Sequence, residues 1–135
     1  MLRLMIAVLL FIASPALAWE TDCPLEHRSY PGSRLAGGYP SYDGGDGGVA
    51  TSHIQRGDHW HDTEAIEKWK ARDGKLTCQY NSPHGRDDDI ILPVPGLLIR
   101  CDWLGRDVPK PRPVAPDTGG PNETVFLRIW CTSRP

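Results

Sequence analysis

Beyond its first eighteen residues the chain has no long apolar run, no excess of charge of one sign and no closely spaced cysteines, and each absence removes a class of protein. A membrane-spanning helix needs roughly 20 consecutive apolar residues, and nothing after residue 18 supplies them. The 15 Lys+Arg and 17 Asp+Glu leave a formal net charge of −2. So small and mixed a balance gives none of the concentrated basic surface that nucleic acid requires, and nucleic-acid binding is not expected. The four cysteines are separated by 55, 23 and 30 positions, which is not the C-x-x-C spacing of a structural zinc site. There is no P-loop, no Gly-x-Ser-x-Gly elbow and no internal repeat. Arg86-Asp87-Asp88-Asp89 lacks the alternating ligands and distal Glu of an EF-hand and reads as a solvated turn. Asp43 and Asp46 likewise miss the nonapeptide pattern of calcium-binding β-rolls.

What is present begins with an export signal. Arg3 is a short positive region, Leu4 to Ile12 an apolar run interrupted only by Ala7, and Ser14-Pro15 a break before the small-x-small site Ala16-Leu17-Ala18. The expectation is that residues 1–18 are a cleaved signal peptide and residues 19–135 a single domain. Cys23 lies five positions past Ala18, which speaks for a soluble form without a stable membrane anchor. Cleavage removes one Arg and no acid, leaving 14 Lys+Arg against 17 Asp+Glu. Four thiols in an exported chain imply two bridges, of which three pairings exist. The compartment expected is therefore periplasmic or extracellular.

Alternation of apolar and polar residues marks most of the chain as strand. Leu76, Cys78 and Tyr80 alternate with Thr77 and Gln79; Leu97, Ile99, Cys101 and Trp103 with Arg100 and Asp102; Val125, Leu127, Ile129 and Cys131 with Phe126, Arg128 and Trp130. Ile90 to Val94 is a shorter candidate that Pro93 and Pro95 confine to an edge. Tyr39 to Gly48 reads as a strand entering the glycine-rich turn Asp43–Gly48, and residues 19–36 show little periodicity. Cys101 and Cys131 share the apolar phase of strands that meet if antiparallel, which favours Cys101–Cys131 and leaves Cys23–Cys78. One helix is expected. Asp62 or Thr63 would cap it, Glu64 sits in the first turn, Lys70 and Arg72 in the last, and Gly74 follows the end. Ala65, Ile66 and Trp69 would form its buried face, with Trp69 as the core anchor. The fold class expected is thus α+β, a small antiparallel sheet packed with one short helix and stapled by two disulfides.

Chemistry-bearing residues are few. His53, His59, His61 and Asp62 lie within ten positions, and imidazoles two apart on an extended segment point the same way. His59, His61 and Asp62 are therefore candidate ligands for Zn²⁺ or Cu²⁺, although Asp62 is one position early for the His-x-His-x-Asp-His pattern of metallo-β-lactamase-type hydrolases. The plainer reading makes them exposed polar residues leading into the helix cap, and no cofactor is expected. Ser82-Pro83-His84 is a turn signal before it is a catalytic dyad. The proline-rich loop Asp107 to Pro121 contains Pro109-Lys110-Pro111-Arg112-Pro113, a polyproline II stretch that reads as a stiff connector or a partner-binding arm.

Trp69, Leu76-Thr-Cys78-Gln-Tyr80, Leu92-Pro93 and Arg100-Cys101, with Tyr42-Asp43-Gly44 before them, resemble a family of small exported bacterial proteins of unknown function. That resemblance covers roughly residues 23–102. It implies a disulfide-held fold and a periplasmic address, and it carries no activity. The function expected is a non-enzymatic periplasmic or secreted binding protein, inhibitor- or immunity-like in one version, whose partner is a protein or a cell-wall component. Tyr30, Tyr39, Tyr42 and Trp60 are candidate contact residues. The alternatives are a metal-binding or stress factor using His59 and His61, and a small cell-envelope hydrolase.

Overall fold

Strand-forming alternation dominates, and the computed structural model, which describes residues 17–43, 49–66, 71–110 and 121–135, is all-β. Among the described residues the strands are β1 (Trp19–Asp22), β2 (Arg34–Asp43), β3 (Val49–Arg56), β4 (His59–Ile66), β5 (Arg72–Ser82), β6 (Gly85–Arg86), β7 (Ile90–Val94), β8 (Leu97–Pro109) and β9 (Asn122–Arg134). They build two antiparallel sheets. One has five strands in the order β1-β9-β8-β4-β3. In the other, β5 is central, with β2 on one side and β6 and β7 on the other.

Among the described residues the expected helix is absent, and α+β is corrected to all-β. Thr63 to Ile66 belong to β4, while Arg72 to Gly74 open β5. Residues 67–70, Trp69 among them, lie outside the described residues. The capping signals were local, whereas β4 is paired along both edges, to β3 and to β8. Ladders on two sides satisfy more backbone groups than one helical turn can, so tertiary pairing overrides the local preference. Asp62, read as a cap, stands in mid-strand opposite His53.

The sheets share one core. Leu76, Cys78 and Tyr80 from β5 meet Leu98, Cys101, Ile129 and Cys131 from β8 and β9, all fully buried or nearly so. The Tyr80 hydroxyl donates to the carbonyl of Pro24 at 2.7 Å, and burial pushes its pKa up to about 12. The phase read for β8 holds only in part. A bulge between Leu98 and Arg100 turns Leu98 inward beside Cys101. β1, invisible to periodicity, pairs with β9 from Trp19↔Ser133 to Asp22↔Trp130. Cys101 bonds Cys131, directly opposite it in the β8–β9 ladder. Cys23 bonds Cys78, tying the segment after β1 to the centre of the other sheet. Asp107 to Pro109, expected in a loop, extend β8 and pair with β9. Pro111, Arg112 and Pro113, like residues 44–48, lie outside the described residues.

Candidate functional site

Antiparallel register decides which side chains share a face, because directly opposed residues project to the same side. In the five-stranded sheet, Trp60 of β4 opposes Gly105 of β8, which opposes Phe126 of β9. Two residues along, His53, Asp62 and Trp103 stand in a row across β3, β4 and β8. Beyond them Thr51 opposes Glu64, whose partner on β8 is the buried Cys101. All of these project to the side that carries the core.

The second sheet covers only part of that side. Its limit is marked by Trp103, whose Nε1–H donates to the Gly38 carbonyl at 2.9 Å. Past that point lies a cleft of about 600 Å³, within the roughly 300–1,000 Å³ range of ligand pockets, lined from the five-stranded sheet by Trp60, Trp103, Phe126, His53, Asp62 and Glu64. Its aromatic wall is built, not incidental. The Trp60 indole lies over Gly105, where a Cβ would sit 2.1 Å from Cζ2. Phe126 meets Trp60 edge-on, with ring centroids 5.6 Å apart at 87°. The hairpin that carries Trp60 turns through Gly57 at φ 64°, a left-handed conformation suited to glycine. Beside this wall, His53 Nδ1 donates to Asp62 Oδ1, its ladder partner on β4. The hydrogen bond to Asp62 leads the causes that raise the His53 pKa above its ordinary 6.5.

The candidate metal ligands do not converge. His59 and His61 share the outer face of β4, whereas Asp62 faces the cleft. His59 is held by its neighbour Asp58 at 2.8 Å, a contact that lowers the Asp58 pKa. Among the described residues no three His, Cys, Asp or Glu side chains are grouped to hold a metal ion. His61 Nε2 instead donates to Asp102 at 3.0 Å. Asp102 also accepts from the Thr63 hydroxyl at 2.8 Å and lies 3.1 Å from Arg100. It is buried although it projects outward, because these groups and Trp130 cover it. Beside it Arg128 stacks on Trp130 and bonds Glu20 and Asp22, which raise its pKa. The outer face is thus occupied by its own ion pairs.

Ser82 and His84 serve the β5–β6 turn: the Ser82 hydroxyl accepts from the His84 backbone N–H at 3.3 Å and donates to Asp87 at 3.4 Å. Arg86 and Asp89 pair locally at 3.1 Å. Asp62 lines a cleft to which His84 does not contribute, so the two are not brought into one site. Of the candidate contact aromatics, Tyr39 is exposed, Tyr30 donates to Asp88 at 2.7 Å, and Tyr42 packs against the core. Trp60 alone lies in the cleft. Pro109 is exposed at the end of β8, and the Lys110 backbone N–H donates to Pro121 at 2.9 Å.

The described chain is therefore a two-sheet, all-β protein stapled by disulfides and carrying one aromatic, carboxylate-edged cleft. Comparison with protein-family models, with curated proteins and with solved structures gives no match.

Proposed function

We propose that the protein is a non-enzymatic binding protein of an oxidising compartment, periplasmic or extracellular, and that its ligand, part of a partner protein or of the cell wall, lies in the aromatic cleft. The disulfides are consistent with such a compartment. The observation that carries the reading is the fixed aromatic wall. Trp60 is held against Gly105 and Phe126, so ring area is presented at low ordering cost, which is how binding sites obtain affinity. Catalysis has less behind it. The Thr63 hydroxyl, 3.5 Å from His61 Nε2, is committed to Asp102 of the same Asp–His pair at 2.8 Å.

The test is capture from an envelope extract and from isolated cell-wall sacculi by the oxidised protein, with Trp60→Leu beside it. A ligand retained by the wild type and lost by the variant supports the cleft. Equal retention by both proteins, or none by either, contradicts it.

A further inference from the structure

The cleft is polarised along its strands. Nearest the Gly57–Asp58 turn stand Trp60 and Phe126, then the row of His53, Asp62 and Trp103, then Glu64. Trp60 and Glu64 are four residues apart on β4, about 13 Å at roughly 3.3 Å per residue. An apolar end is thus separated from an acidic one. Asp62 is engaged by His53. Glu64, half-buried at the far end, has no hydrogen bond or ion pair among the described residues. The described residues supply its carboxylate with no donor, a place that a cation on a ligand can fill. Trp103, diagonal to Glu64 across the ladder, offers a ring that also favours a cation.

We propose that the cleft recognises a primary ammonium group on an apolar stem, the ammonium held by Glu64 and Asp62 beside Trp103 and the stem running toward Trp60 and Phe126. This deepens the binding reading above and rests on it. An ammonium is compact and carries three donors, so one group can reach both carboxylates. A neutral sugar ring would stack on the indoles but leave the Glu64 charge unanswered. A lysine side chain of a partner protein and a diamino acid of a cell-wall peptide offer the same group, and sacculi against protein extract separate these sources.

The experiment follows the indole N–H signals of Trp60 and Trp103 by NMR during titration of the oxidised protein. The probes are N-acetyl-lysine methylamide, its Nζ-acetylated form, and a neutral chitin trisaccharide. The expected result is saturable shifts with the lysine derivative, at least tenfold weaker binding after Nζ-acetylation, and at least fivefold weaker binding by Glu64→Gln at unchanged Tm. Asp62→Asn provides a second variant with the same loss of binding, at a slightly lowered Tm because its ion pair with His53 is lost. Equal affinity for the charged and acetylated forms overturns the ammonium assignment. So does binding of the trisaccharide alone, which leaves the cleft as a binding site. No shift with any probe, together with no capture by the wild type, overturns both.

Discussion

A methyl group on Gly105 would meet the Trp60 indole at 2.1 Å, so Gly105→Ala must displace the ring or the strand beneath it. Overpacking of this kind costs about 1–3 kcal/mol. The variant is expected to unfold at lower denaturant concentration and to lose near-ultraviolet dichroism from Trp60. Unchanged stability would mean that the indole does not rest there. His53 gives a residue-scale prediction with a definite sign. The hydrogen bond to Asp62 on β4 leads in raising its pKa, with Gln55 on its own strand and the charge of Asp107 on β8 acting in the same direction. A folded value above the unfolded one makes the pair's stabilisation full below about pH 6.5 and lost as pH rises through the folded value. Its size is small because the pair is exposed. The Tm difference between wild type and His53→Asn should therefore narrow as pH rises from about 6 to 8. As pH rises through that folded value, Asp62 loses the positive charge of His53 beside it. Affinity for the lysine derivative should rise, since its amine stays protonated to about pH 10.

At the scale of elements, the two disulfides hold different things. Cys101–Cys131 joins strands already hydrogen-bonded along their length, whereas Cys23–Cys78 joins the segment after β1 to the opposite sheet. By chain entropy alone, closing 30 or 55 residues is worth about 3–4 or about 4 kcal/mol. Their structural consequences should differ more than these values. Replacing Cys23 and Cys78 by Ala is expected to speed amide exchange in β2, β5 and β7 while β8 and β9 stay protected. Uniform loss of protection would show that the sheets do not separate.

Strands whose faces differ in polarity were legible: the alternation of Leu76, Cys78 and Tyr80 appears as burial in β5, and the apolar phase shared by Cys101 and Cys131 matches their bond. β4 was misread because Asp62, Thr63 and Glu64 carry capping chemistry in sequence, while the ladders that fix them come from β3 and β8. β1 escaped because Trp-Glu-Thr-Asp has no apolar alternation and is held by β9. Gly105, Trp103 and Phe126 were not legible as a site. Only register sets them beside Trp60 and Asp62, although a glycine two residues after a tryptophan in a strand hinted at a close approach.

For the whole molecule, the five-stranded sheet has one face closed by its own pairings and another left partly open. Outside, Asp102 gathers His61, Thr63 and Arg100, while Arg128 gathers Glu20 and Asp22. Inside, past the edge of the second sheet, three aromatic rings and Glu64 line a cleft. The most direct test compares the two faces. Capture of the envelope ligand is measured for the wild type, for the cleft variants Trp60→Leu and Glu64→Gln, and for Ile54→Ser on the exposed outer face, all oxidised and checked for equal fold by circular dichroism. Loss confined to the cleft variants is the result predicted. Loss confined to Ile54→Ser, with the cleft variants retaining the ligand, would contradict the assignment.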